Sequence, residues 1–160
     1  MSEKTEKPKP PPPTRESPVT LRELSEKTVV SVCDLKVKPE QDNFVAPNSF
    51  SIAQAYFSKT AWFRGVYAGD TPVGFAMMAL EEGKVPYLWR FMIDARYQHL
   101  GFGGQALRQL IDHAKAQPGA KAMELSAVPA EGGPRPFYEK HGFEFTGKVE
   151  HGEEVLRLEF

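Results

Sequence analysis

The chain has 160 residues, enough for one domain with a substantial core, and a second catalytic domain is not expected. Its 20 Lys and Arg nearly cancel 21 Asp and Glu, which excludes the broad positive field that nucleic acid binding draws on. No apolar run reaches the roughly 18 residues of a membrane span and the N-terminus lacks a secretory signal, so a cytoplasmic protein without a membrane partner is expected.

Residues 1–18, MSEKTEKPKPPPPTRESP, hold six of the fourteen prolines and almost no apolar side chain, the composition of a disordered tail outside the fold. Pro10 to Pro13 favour polyproline II, either as a partner-domain ligand or as part of a solvated tail, which is the preferred reading. Val19 to Leu24 alternates apolar and polar as a half-buried strand requires. Helical stretches follow at Thr28 to Leu35 and at Ser49 to Ser58, where Ser49 is the expected cap and Ile52, Tyr56 and Phe57 share a face. Cys33, the only cysteine, excludes an internal disulfide and reads as a small packing residue rather than a nucleophile. Trp62 to Ala68 and Pro72 to Leu80 flank the Gly69-Asp70 turn as a hairpin, and Tyr87 to Ile93 follows the Glu81-Glu82-Gly83-Lys84 turn as a fourth strand. Gly101 to Ala116 carries Leu107, Leu110, Ile111 and Ala114 at helical spacing and stops at Pro118-Gly119. Met123 to Val128 is a short strand, Pro134 to His141 a short helix, and Phe143 to Val149 with Glu153 to Phe160 a closing hairpin. The order βααβββαβαββ, with no repeat, predicts a single α/β domain over 19–160, its mixed, mostly antiparallel sheet of about seven strands flanked by about four helices.

The run Arg96-Tyr97-Gln98-His99-Leu100-Gly101-Phe102-Gly103-Gly104 lies between the fourth strand and the long helix. A helix N-terminus offers unpaired N–H groups and about half a positive charge, and glycines let the backbone curl around an anion, so this is a candidate pyrophosphate cradle. Gly101-x-Gly103-x-x-Ala106 also satisfies the dinucleotide fingerprint. That reading needs an acid at the end of the next strand, whereas Glu124 begins it, and only 56 residues follow Gly104, too few for two mononucleotide-binding halves. Glycines that merely cap the helix are the remaining alternative, at a cost in helix propensity.

Gln98-His99-Leu100-Gly101-Phe102-Gly103, preceded by Phe91-Met92-Ile93 and followed by Phe137-Tyr138-Glu139-Lys140-His141-Gly142-Phe143, resembles the GNAT superfamily of N-acetyltransferases over about Val19 to Phe160. The resemblance implies a GNAT-like fold, acetyl-CoA as cosubstrate, no metal, and direct attack of a primary amine on the thioester without an acyl-enzyme. Val73-Gly74-Phe75-Ala76-Met77, Arg90-Phe91-Met92-Ile93-Asp94 and Arg96-Tyr97-Gln98 are similar to the bacterial spermine/spermidine (diamine) acetyltransferases, which implies a polyamine acceptor. Two departures stand out: His99 and Leu100 replace a common Gly and Lys, and Pro129-Ala130-Glu131 stands where many members place an Asn.

The same resemblance implies that backbone groups of Met92 and Ile93, beside Phe91, bind the pantetheine arm, and that the amides of Gln98, His99, Leu100, Gly101, Phe102, Gly103 and Gly104 bind the pyrophosphate. Arg96 and Arg108 are candidate phosphate contacts, and Tyr138 matches the tyrosine that lends a proton to the departing thiolate. An acceptor amine of pKa ~10.4 is almost wholly protonated at pH 7, and freeing it costs about 4.6 kcal/mol, which makes a general base useful. Asp94, Glu124, Glu131, Glu40 and Asp42 are candidates; Glu40 is selected because its loop borders the acceptor side in the family. Glu40, Asp42, Glu81 and Glu82 are expected to attract a cationic chain. The four histidines show no ligand spacing. Trp62 and Trp89 are read as core or acceptor-wall aromatics, and Phe137 as core. Acetylation of another amine (an aminoglycoside, an amino acid or a protein N-terminus) and a non-catalytic acyl-CoA-binding module remain open. A homodimer is compatible with all three.

Overall fold

A computed structural model describes residues 8–160. Seven strands, β1 Val19–Arg22, β2 Ala61–Ala68, β3 Thr71–Ala79, β4 Tyr87–Ile93, β5 Ala122–Ala127, β6 Glu144–Glu150 and β7 Glu153–Glu159, form one sheet in the order β1-β2-β3-β4-β5-β7-β6. All neighbours are antiparallel except β4 and β5, which are parallel and are joined through helix α3 (Phe102–Lys115). Helices α1 (Val29–Cys33), α2 (Asn48–Tyr56) and α4 (Arg135–Glu139) and 3-10 turns at Pro39–Gln41 and Ala95–Tyr97 complete the chain. This is the α/β fold, and the element order, that the sequence predicts.

Two layers of helix cover the sheet. The predicted stripe of α3 (Leu107, Leu110, Ile111, Ala114) is buried against Ala76, Met78, Leu88, Met123 and Leu125 on one face. Val32, Leu35 and Ala55 pack on Phe75, Met77 and Met92 on the other. The central strand β3 is therefore covered on both sides, and its run Val73 to Met78 is apolar without alternation for that reason. Gly74 is required there: a Cβ would lie 2.4 Å from the Met92 carbonyl oxygen, across the β3–β4 pair.

The expected face of α2 is corrected. Tyr56 and Phe57 are 84% and 87% exposed, and the side that packs is Asn48, Ser51 and Ala55, with Ile52 partly buried. Small residues let this short helix approach closely, and Asn48 fastens it by donating to the Val32 carbonyl at 2.9 Å. Ser49 does not cap the helix; Pro47 precedes its first residue and no side chain caps it. Of the segment assigned to the tail, Met1 to Lys7 lie outside the described residues, Thr14 and Ser17 close a turn, and the Pro18 carbonyl accepts the Gly69 N–H at 2.8 Å.

One irregularity positions the site. Met77 pairs with Arg90 and Met78 with Leu88, which leaves Trp89 as an extra, bulged residue in β4. A bulge bends its strand and sharpens the twist. Accordingly β4 and β5 pair only at Tyr87↔Glu124 and Leu88↔Leu125 and then diverge, opening a gap in the middle of the sheet.

Candidate active site

The gap is a cleft of about 900 Å³, walled by β4, by the loop from Gln41 to Pro47, by the glycine loop and by α4. Its size and mixed lining suit a cofactor-sized ligand. Along it the backbone of β4 alternates in direction. The Asp94 N–H donates to the Val73 carbonyl at 2.8 Å, and antiparallel register then turns the polar groups of Met92 and Arg90 toward β3 and those of Phe91 and Ile93 toward the gap. Of the two residues expected to hold a pantetheine arm through their backbone, Ile93 faces the cleft and Met92 faces β3, with Phe91 as the second gap-facing residue. Buried backbone groups require partners, and an extended, amide-bearing ligand would supply them as an added strand does.

The cradle at one end is built from two left-handed residues, His99 at φ 63° and Gly101 at φ 85°. Gly101 precedes α3 without any side-chain cap, so the first amides of the helix, those of Phe102, Gly103 and Gly104, point outward free of side-chain partners. Such a nest of N–H groups at a helix N-terminus binds phosphate oxygens. His99 occupies a conformation that glycine adopts with less strain, which is the physical content of its departure from the family pattern. Gln98, His99, Gly101, Gly103 and Gly104 line the cleft, whereas Leu100 and the fully buried Phe102 anchor the loop in the core.

Gln98 acts through its side chain as a brace. Its Nε2 donates to the Ile93 carbonyl at 2.9 Å and to Gln41 Oε1 at 2.8 Å, tying the end of β4 to the 3-10 turn. Arg96 is engaged elsewhere: its guanidinium lies 2.9 Å from Asp94 Oδ1, and it does not line the cleft. Asp94 is buried. Burial works to raise its pKa, but the Arg96 side chain and the backbone N–H groups of Lys36 and Arg96 outweigh this and hold the carboxyl below its usual range. Asp94 therefore fastens the loop rather than waiting as a base. Arg108 is exposed on α3.

At the middle of the cleft Tyr138 projects from α4, 8% exposed, with its ring against Phe137 and Phe143. Burial, with a smaller push from Tyr87, holds its phenol far above the ordinary value, so it remains a proton donor at neutral and mildly alkaline pH. Phe137 both packs on the core and lines the cleft, and Trp89 lines the cleft as well. Trp62 instead stacks on His113 at 4.1 Å.

The far end holds groups the sequence did not single out for chemistry. Tyr87 donates its hydroxyl hydrogen to Ser126 Oγ at 2.8 Å, and both line the cleft with Arg90 and Glu153. Arg90 is held by the Trp89 carbonyl and by Gln54 Oε1, each at 3.0 Å, and its Nε is buried with no partner. Its pKa is lowered, chiefly by burial. Among the sequence-selected acids only Asp42 borders the cleft besides this end. Glu40 is exposed outside it, Glu124 pairs with Arg157 at 3.4 Å, Glu131 is exposed, and Glu81 and Glu82 flank a separate surface depression near Pro118. Alternation along β4 and the turn before β7 carried a signal, but only the strand pairing joins them.

Cys33 is half-buried in α1, and burial, aided by Asp34, raises its pKa, the opposite of an activated thiol. Among the described residues no group of three or more His, Cys, Asp or Glu is arranged to hold a metal, and no helix is long and apolar enough to cross a membrane.

A divided sheet with an anion cradle at the crossover helix makes a cleft suited to a phosphate-bearing ligand. The sequence model of the Acetyltransferase (GNAT) family matches residues 28–143, and the chain belongs to that family, as an acyltransferase. The spermine/spermidine N(1)-acetyltransferase of Bacillus subtilis (strain 168) is 28% identical over 150 residues, covering 86% of this chain and 96% of the relative. The fold is similar to the PaiA N-acetyltransferase of Thermoplasma acidophilum in complex with coenzyme A, at TM-score 0.68 and 16% identity, covering 89% of this chain and 99% of that one. It is also similar to a GNAT acetyltransferase of Elizabethkingia anophelis with acetyl-CoA bound, at TM-score 0.65 and 16% identity, covering 89% and 98%.

Proposed function

We propose that this chain transfers the acetyl group of acetyl-CoA to a primary amine of a polyamine such as spermine or spermidine, by direct attack on the thioester. The observation that carries the reading is the continuous cleft from the outward amides of Phe102 to Gly104, along the gap-facing backbone of Phe91 and Ile93, to the buried hydroxyl of Tyr138. The amides of the glycine loop fit a pyrophosphate, and the edge of β4 at Phe91 and Ile93, which no strand covers, fits the amides of pantetheine. Tyr138, kept protonated by its burial, gives its proton to the departing sulfur as the carbon–sulfur bond breaks. Glu40, exposed beyond the cleft, is given no part. The polyamine acceptor rests on the Bacillus relative and on a cleft whose lining includes the aromatics Phe44, Tyr87 and Trp89 and the carboxylates Asp42 and Glu153.

A second acceptor class has one observation in its favour. Arg90 places a cation in the acceptor wall with a buried, unpartnered Nε, which would suit an amine bearing an anionic group, such as an amino acid. An amine panel scored by CoA release separates the two. The polyamine reading expects faster turnover of spermine and spermidine than of neutral amino acids, with that advantage shrinking as salt screens it. Equal or better rates on an amino acid, independent of salt, would replace it with the second class.

A further inference from the structure

Glu153 opens β7 and lines the cleft. It is partly buried, yet among the described residues no hydrogen bond or ion pair engages its carboxylate. Its neighbour Glu154 is instead held by Arg135. The carboxylate lines the cleft unengaged, where a cation that the cleft admits can reach it. The sheet fixes its place. β5 and β7 pair Ser126 with Val155, and Glu153 lies two residues before Val155 on the same face, a diagonal neighbour of Ser126 at about 7–8 Å and within reach of a long side chain. The hydrogen-bonded Tyr87–Ser126 pair and Tyr138 line the same cleft.

We propose that Glu153 receives the reacting ammonium of the acceptor and is the base that takes its proton. The assignment rests on the acetyltransferase reading above but not on the polyamine. The ammonium gives one proton to the Glu153 carboxylate. The freed nitrogen lone pair forms the bond to the acetyl carbon while the carbon–sulfur bond breaks, its electron pair staying on sulfur. Tyr138 protonates the sulfur and recovers a proton from the nitrogen, and Glu153 releases its own to solvent, so the products are amide, thiol and one proton. Among the described residues, the groups that face Glu153 leave its carboxylate outside any ion pair. Arg90 of β4 is the nearby cation, Tyr87 of β4 and Tyr138 of α4 are neutral, Glu150 lies opposite on β6, and Glu154 is spent on Arg135. Glu153 in turn raises the pKa of both Tyr87 and Arg90, which places its charge close to each.

The test is Glu153→Gln, nearly isosteric, in the full chain, with CoA release followed from pH 7 to 10 on spermidine and on simple monoamines, and with acetyl-CoA affinity measured by calorimetry. The expected result is a fall of about 10²-fold in kcat/KM at pH 7 on every amine that the parent turns over. The loss should shrink as pH approaches the amine's own value of ~10.4, where free amine arrives without help, and acetyl-CoA affinity should be unchanged. Glu153→Asp, which keeps the charge and shortens the reach, should recover part of the rate. If the Gln variant does not fold, Glu153→Asp carries the test, and parent-like rates in it overturn the assignment. Unchanged kcat/KM, a loss that is constant across pH, or a loss confined to spermidine while monoamines are spared would each overturn it. A parent that acetylates monoamines but not spermidine ends the polyamine reading alone, and the same comparison then runs on the monoamine.

Discussion

The two ends of the cleft are built in opposite ways. The cradle end is continuous in sequence: the end of β4, the 3-10 turn, the glycine loop and the first turn of α3 follow one another from Phe91 to Gly104, and backbone amides do the binding. The acceptor end is assembled from distant segments, with Tyr87 and Arg90 on β4, Ser126 on β5, Tyr138 on α4 and Glu153 on β7, and side chains do the work. A ligand shared by a whole family can be held by backbone that tolerates sequence change. An acceptor that differs from enzyme to enzyme must be read by side chains.

The sharpest way to break this division is at Tyr138, where cosubstrate and acceptor meet. Tyr138→Phe keeps the ring against Phe137 and Phe143 and removes only the hydroxyl, so kcat should fall by about 10²-fold while acetyl-CoA affinity stays the same. Steady-state rates from pH 7 to 9 check this. A variant that matches the parent would make Tyr138 a packing residue, with the proton coming from water.

The cradle end should respond to ligand in the absence of any acceptor. Acetyl-CoA at about a hundred times its dissociation constant should stabilise the protein by about 2.7 kcal/mol, a rise of roughly 5–11 °C in Tm for a domain of this size, and NADH should leave Tm unchanged. Stabilisation by NADH but not by acetyl-CoA would return the glycine loop to the dinucleotide reading.

Gly103 sharpens the backbone half of the comparison. A Cβ there would meet Ile93 and Phe137 only at an ordinary 3.6 Å, so the fold should survive Gly103→Val. The branched side chain would nevertheless stand where phosphates approach the amides, and acetyl-CoA affinity should drop about tenfold, or about 1.4 kcal/mol, by calorimetry. An unchanged affinity in the folded variant would place the cradle elsewhere.

The smallest expected effect lies outside both ends. Burial, with Arg64 nearby, lowers the pKa of His113 in its stack on Trp62. The unfolded chain then binds more protons below about pH 6.5, so stability should decline modestly as pH falls through that value and level off below the folded pKa. Asp94, whose folded pKa is depressed, should contribute stability that is present above its ordinary value of 3.8 and lost as pH falls through the folded value. Urea midpoints across pH 3 to 8 in the parent and in His113→Gln check the pair. A His113→Gln profile that keeps the decline near pH 6.5 would assign it to another group.

The contrast between the ends also explains what could be read from the chain. The strand–glycine–helix run, the α3 stripe and the hairpins depend on local periodicity and turn chemistry, and each stands where the sequence puts it. Met92 and Ile93 could be found as a pair, but which of them faces the gap follows from the β3–β4 register, which a single strand does not carry. The apolar residues Tyr56 and Phe57 promised a buried face on α2, yet Asn48, Ser51 and Ala55 fit closer to the sheet and won it. Arg96 offered a phosphate contact until Asp94, two residues away, took its guanidinium. Glu153 and Tyr87 are 66 positions apart in number, and only a sheet that sets β7 beside β5 brings them into one wall.

The central claim is direct passage of an acetyl group from acetyl-CoA to an amine held in this cleft. Mixing the protein with acetyl-labelled acetyl-CoA and spermidine, and following the label by mass spectrometry of both amine and protein at short times, tests it most directly. The label should appear on the amine, with an equal amount of CoA thiol released, and the intact protein should keep its unlabelled mass at every time. Label that resides on the protein before reaching the amine, or CoA release with no acetylated amine, would contradict it.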